Sequence, residues 1–179
     1  TNRFINLTIE GNTNELGMGI RLGGNEVVVA NANNDFHYLE SVIVLNYTGT
    51  AYSLENSQIY GTKFNNCTFA SACAGASGVS TRDNPSGNGH GGTFLWSGGG
   101  GGISGTAFRL GAFNGGAYTI QNTDIERAAR LLETSGPTPG TFKNTILDGV
   151  RYSSVSPAAD GYVIRFLFGG NLSVRNCRL

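Results

Sequence analysis

Glu126 and Asp148 hold matching places in two copies of one six-residue pattern, directly after "IQNTDI" and "FKNTIL", whose first residues Ile120 and Phe142 lie 22 positions apart. Stacked as neighbours, two such carboxyls raise one another's proton affinity. The result is an acid beside a base or nucleophile, the pair that glycoside hydrolysis requires. Arg127 and Arg151 lie close to them in the chain, as contacts for a substrate or as partners in an ordinary surface ion network. A second set lies in the long Gly-rich stretch from Ser71 to Gly105, read as a loop insertion that includes "STRDNPSGNGHGGTFLWSGGGGG". It offers Arg82, Asp83, His90 and the only Trp, Trp96. A Trp face with polar neighbours on a long loop is a common platform for sugar, and a flexible surface insertion is the plain alternative.

The third set is built on arginine, which outnumbers lysine ten to two. Arg21, Arg109, Arg130 and Arg165 each stand between residues that are apolar, so along a strand each guanidinium points away from the core. Their neighbours on that face are Gly19 and Gly23, Ala107 and Gly111, Ala128 and Leu132, and Val163 and Leu167, none of them acidic. Stacked guanidinium groups repel unless something anionic neutralises them, and "YVIRFLFGG", with Phe168, is apolar on both faces. This face is therefore expected to meet another subunit. A groove for an acidic glycan and cover by the chain's own loops are the other two readings.

Other chemistry finds little footing. Cys67, Cys73 and Cys177 are too few, and odd in number, for a disulfide framework, and with only His37 and His90 beside them they make no zinc set. Small buried thiols are expected instead. Five scattered Asp do not form the cluster that a calcium site wants, and "GNGHGG" lacks the helix and the Lys-Ser/Thr of a phosphate loop. No cofactor is expected. A formal net charge of zero gives no support to a nucleic-acid partner, and no apolar run approaches the ~18 residues of a membrane span, so membrane insertion is not expected either.

The elements that must carry these residues follow from composition and repeat. Gly is 28 of 179 residues with no Gly-X-Y period and four Pro, which excludes collagen, while 39% hydrophobic and 13% charged residues describe a core-forming chain surfaced with Asn, Ser, Thr and Gly. Apolar-x-Asn-x-x-apolar occurs at Phe4/Asn6/Ile9, Leu54/Asn56/Ile59, Phe64/Asn66/Phe69, Ile120/Asn122/Ile125, Phe142/Asn144/Leu147 and Val174/Asn176/Leu179, with Ser for Asn at Leu39/Ser41/Val44. On a straight strand the two apolar residues would face opposite sides. Both reach one core only if the chain bends at the Asn, the non-Gly residue most tolerant of a left-handed backbone. Such corner residues are expected to be buried, with amides that can stack on their equals.

Successive corners, 66 to 122 counted as two turns, give a period in the low twenties stretched by loops. The expected fold is all-β, a solenoid of parallel strands with about seven coils. Residues 126–133, "ERAARLLE", look helical taken alone, but the repeat aligns them with a strand.

"NLTIEGN", "FNNCTFASA", "IQNTDIE" and "LSVRNCRL" resemble rungs of the right-handed, single-stranded parallel β-helix superfamily: pectate-lyase-like enzymes, bacterial β-helix repeat proteins and bacteriophage tailspikes. The likeness spans residues 4 to 179. It implies extracellular or virion-borne proteins that act on surface polysaccharide, often as homotrimers in the phage members. Three functions follow as expectations: a tailspike-like segment that binds surface polysaccharide, with or without cleaving it; a free-standing extracellular polysaccharide hydrolase or lyase; and a non-catalytic structural or adhesive β-helix. A single domain, 1–179, is expected. Because a full motif begins at Phe4 and the chain stops on Leu179, it is expected to belong to a longer protein or to stack on another subunit.

Overall fold

Alternating apolar positions make strands, and corners keep these strands short. The computed structural model of the chain describes residues 2–12, 17–22, 36–55, 61–81, 93–111, 117–135, 144–167 and 170–179. Among them there are 19 strands and no helix, so residues 126–133 follow the repeat rather than their local propensity. No helix among the described residues is long and apolar enough to cross a membrane. In chain order the strands begin β1 (Arg3–Ile5), β2 (Thr8–Glu10), β3 (Met18–Leu22), β4 (Tyr38–Glu40), β5 (Ile43–Leu45), β6 (Thr50–Leu54) and β7 (Thr62–Asn65). There follow β8 (Thr68–Ser71), β9 (Ser77–Thr81), β10 (Phe94–Ser97), β11 (Gly100–Ile103), β12 (Thr106–Gly111) and β13 (Ala117–Gln121). The last are β14 (Asp124–Glu126), β15 (Arg130–Ser135), β16 (Asn144–Asp148), β17 (Arg151–Tyr152), β18 (Ile164–Phe166) and β19 (Asn171–Arg175).

Every third strand joins the same sheet. The first sheet runs β1-β4-β7-β10-β13-β16-β19, the second β2-β5-β8-β11-β14-β17 and the third β3-β6-β9-β12-β15-β18, all with parallel pairing. This rotation through three stacked sheets is that of a parallel β-solenoid, compatible with a β-helix. The stretch from Ser71 to Gly105 is accordingly no single loop: it contains β9, β10 and β11.

The first sheet turns into the second through a left-handed residue in each pass, joined by a second, Gly99 at φ 66°, in the pass of Gly98. Asn6, Ser41, Asn66, Asn122 and Asn176 have φ of 51, 52, 50, 50 and 52°, and Gly98 and Gly149 take the same role at 71 and 64°. From Asn6 to Gly149 each corner N–H donates to the strand end of the next pass, Asn66 to Ser97 O at 2.9 Å and Asn122 to Asp148 O at 2.8 Å among them. Two expectations need correction. Asn144 is no corner but the first residue of β16, paired with Ala117 and Asn171, because the corner of that pass is Gly149, in Leu147-x-Gly149-x-x-Tyr152. The corner Asn side chains are exposed, not buried, and they do not stack on their equals. Asn66 Oδ1 and Asn122 Oδ1 instead lie where a Cβ on Gly98 or Gly149 would come within 3.0 Å, so a large corner alternates with a small one. Asn56 lies outside the described residues.

Inward positions stack into columns. The first sheet contributes Phe4, Leu39, Phe64, Trp96, Ile120, Leu147 and Val174, one above the other. Trp96 is completely buried at the centre, its ring 5.3 Å from that of Phe64, 5.6 Å from Phe69 and Phe108, and 5.8 Å from Tyr52. Such pairs contribute roughly 0.5–1.5 kcal/mol each beyond their burial. So much aromatic volume needs room, and glycine supplies it: the Phe69 ring occupies the space a side chain would need at Gly78 and at Gly101. The run from Gly98 to Gly102 is thus corner and strand, not a flexible insertion. Cys67 fits the expected small thiol, buried, free and 3.5 Å from Leu39 O, with burial pushing it above its ordinary pKa.

Gly101→Ala should cost about 1–3 kcal/mol by overpacking. Urea denaturation should show Phe69→Leu in the same chain recovering part of that loss but not all of it, because the Phe69 carbonyl also crowds position 101. Purely additive effects would contradict this packing.

Candidate functional site

Side chains alternate along a strand, so the residues flanking the inward column of the first sheet point outward. One such column reads Glu40, Asn65, Ser97, Gln121, Asp148 and Arg175, a polar group on each of six successive strands. At ~4.8 Å per strand it spans about 24 Å. Its members help to hold one another in place: Gln121 Nε2 donates to Ser97 Oγ at 3.1 Å, Asn65 Nδ2 lies 3.5 Å from Glu40 Oε1, and Asp148 Oδ1 accepts from Asn176 Nδ2 at 2.9 Å. Beside it runs a mixed column, Tyr38, Lys63, Leu95, Thr119, Ile146 and Ser173, in which apolar and polar side chains alternate.

A groove of about 300 Å³ lies over the C-terminal ends of β8, β11 and β14 in the second sheet. Ala70 and Gly102 line it together with Asn46, Ser104, Glu126 and Arg127. Asn46 and Arg127 are themselves left-handed, at φ 56 and 63°. A smaller groove, about 260 Å³, is lined by Asp124, Arg151, Tyr152, Ser153 and Arg178, with Arg151 3.0 Å from Asp124.

The third sheet carries an ion network. Arg130, 8% exposed, donates to Glu133, to both oxygens of Asp160 at 2.6 Å and, through Nε, to Tyr162 O at 3.3 Å. Arg165 approaches Asp160 at 3.8 Å and Glu133 at 3.9 Å. Burial pushes the Arg130 guanidinium down, but the hydrogen bonds and charges of Asp160 and Glu133 outweigh it and hold Arg130 above its ordinary value. The hydrogen bond from Arg130 in turn holds the Asp160 carboxyl below 3.8.

The structure separates several residues that the sequence grouped. Glu126 pairs with Gly102 in the second sheet, whereas Asp148 pairs with Gln121 and Arg175 in the first, so the two carboxylates do not share a column. The cause is the misplaced corner at Asn144, which shifted Asp148 by five residues against the repeat. Asp124, which sequence reasoning passed over, lies two residues before Glu126 on the same strand and pairs with Arg151. Trp96 offers no ring to a sugar: it is core, its indole donating to Thr123 Oγ1 at 3.2 Å. Arg82, Asp83, His90 and Phe168 lie outside the described residues.

The arginine stack is also redrawn. Its true column is Arg21, Ser53, Ser80, Arg109, Glu133 and Arg165, and Arg130 sits three residues earlier, opposite Thr106. Arg21 is met by Glu55 at 2.9 Å, and Arg130 and Arg165 by Glu133 and Asp160. Acidic groups of the chain itself thus meet three of the four arginines, while Arg109 is exposed on the same face. Arg130 meets Glu133 three residues on along its own strand, while Glu55 reaches Arg21, and Glu133 and Asp160 reach Arg165, from neighbouring passes and segments that along-strand neighbours do not disclose.

Among the described residues no group of three or more His, Cys, Asp or Glu is placed to hold a metal ion. Comparison of the chain with protein-family models, curated proteins and solved structures gave no match.

Because the folded Asp160 titrates below its ordinary 3.8, its contribution to stability is complete above that value and fades as pH falls through the lower, folded value. Asp160→Asn should therefore melt at lower temperature than the parent at neutral pH, and calorimetry should show the gap closing below pH 3.8. A gap that persists unchanged in acid would contradict the assigned ion pair.

Proposed function

We propose that the chain is a right-handed parallel β-helix of about seven coils that binds an extended surface polysaccharide along its axis, as the tailspike-like proteins it resembles do. One observation carries the reading: the outward column from Glu40 to Arg175, polar on six successive strands, beside a column in which Tyr38, Leu95 and Ile146 are apolar. A glycan is likewise two-sided. Its hydroxyls recur along the chain while its C–H faces seek apolar surface, and a rigid array already in position costs little entropy to engage. Charge agrees with a mainly neutral polymer, since Glu40 and Asp148 are balanced by Arg175 and by Lys63 of the column beside it. Extracellular or virion-borne placement belongs to the same proposal.

Cleavage has weaker support. The carboxylates first singled out lie on different sheets, and Asp124, the acidic neighbour of Glu126, is engaged by Arg151. The function proposed is recognition.

Asn65→Ala with Gln121→Ala removes the two polar groups on either side of Ser97 in the column while sparing the core. Affinity electrophoresis against bacterial capsule and O-antigen polysaccharides should show at least one polymer retarding the parent and releasing the double variant at least tenfold more readily. If no polymer retards the parent, or the variant binds undiminished, the reading fails.

A further inference from the structure

Two residues at the C-terminal ends of β11 and β14 are ones that the fold itself does not call for. The first is Gly102. A side chain at Gly19, Gly78, Gly100 or Gly101 would come within 3.0 Å of neighbouring atoms, so packing explains each of those strand glycines. At Gly102 the nearest atom to an added Cβ is Glu126 O, at 3.8 Å, an ordinary contact. Glycine in a strand interior sacrifices stability, and where packing does not require it, it marks a place that something else approaches closely. The second is Arg127. At φ 63° it holds a left-handed conformation that five Asn adopt elsewhere in this structure and that a long side chain disfavours.

Both line the same groove of about 300 Å³. Gly102 and Ala70 leave a low apolar floor, and Asn46, Ser104, Glu126 and Arg127 surround it with an amide, a hydroxyl, a carboxylate and a guanidinium. Ser104 Oγ donates to Ala72 O at 3.2 Å and retains its lone pairs as acceptors, while Glu126 and Arg127 are exposed. The two charges cancel. A flat apolar floor ringed by donors and acceptors of zero net charge matches a ring that is apolar on its face and hydroxylated at its edge.

We infer that this groove is a second glycan site, separate from the polar column of the first sheet, and that it takes one neutral sugar ring. The ring lies over the bare Gly102 backbone with its hydroxyls on Glu126, Arg127 and Asn46. Gly102 leaves the space for it, and the strained Arg127 backbone aims the guanidinium at its edge. An acidic sugar is disfavoured, because Glu126 would face its carboxylate.

The test sets binding against stability. Titration calorimetry with methyl glucoside, methyl galactoside, methyl mannoside and methyl glucuronide should find a neutral hexoside that binds the parent protein. Gly102→Val, with a β-branched residue in a strand where space exists, should melt no lower than the parent yet bind that hexoside at least tenfold more weakly. Arg127→Asn should melt higher and also bind more weakly, the opposed changes that a residue kept only for the fold would not show. The inference is overturned if no neutral hexoside binds, if methyl glucuronide binds best, if Gly102→Val binds as the parent does, or if either variant melts lower. The polymer reading stands or falls separately, since Gly102→Val leaves the Asn65 and Gln121 column untouched, as polysaccharide retardation of the same variant would report.

Discussion

Everything in this molecule rests on parallel strands stacking in register. A strand joins its sheet only if the pass it belongs to has turned the same corner as the pass beneath it, with the same hand. The corner residue must therefore take a left-handed backbone, which excludes most side chains on steric grounds. The hydrogen bond from each corner N–H to the strand end of the next pass shows the constraint at work: Ser41 to Asn65 O at 2.9 Å and Gly98 to Gln121 O at 3.1 Å are the same bond made in different passes. Because the corners repeat, positions one and two residues away repeat also. Columns are the result, inside and out.

Inside, stacking forces a trade of volume between neighbouring strands. Trp96 and Phe69 fill the centre from two sheets, and Gly78 and Gly101 give way to them. Outside, the same geometry turns single polar residues into an array. Gln121 alone is an ordinary surface amide; between Ser97 and Asp148 it is one step of a continuous polar edge. A repeating ligand is the natural partner of such an edge, and the spacing is set by the backbone rather than by the side chains.

The all-β fold and the parallel stacking were legible because the corner leaves a chemical trace: Asn6, Ser41, Asn66, Asn122 and Asn176 all occupy it. Gly98 and Gly149 left a weaker trace, since glycine is abundant here and serves packing as well as turning, and Asn144 counterfeited the pattern from within a strand. That one shift set Asp148 beside Glu126 on paper. Trp96 was misjudged for a related reason: a Gly-rich setting suggests a loop, yet glycine was there to admit the aromatic rings. The arginine column was misread in its register for a different reason. Glu133 reaches Arg165 from another strand, and Asp160 reaches both Arg130 and Arg165 from the segment after β17; such partners are invisible until register is known.

The central claim is that the outward column of the first sheet is a glycan-binding edge held in register by the corners. Mapping backbone amide shifts by nuclear magnetic resonance during titration with oligosaccharides cut from a retained polymer tests it most directly. The largest changes should fall on β7, β10, β13 and β16, centred on Asn65, Ser97, Gln121 and Asp148. Changes confined to the third sheet, or spread without regard to the column, would contradict it.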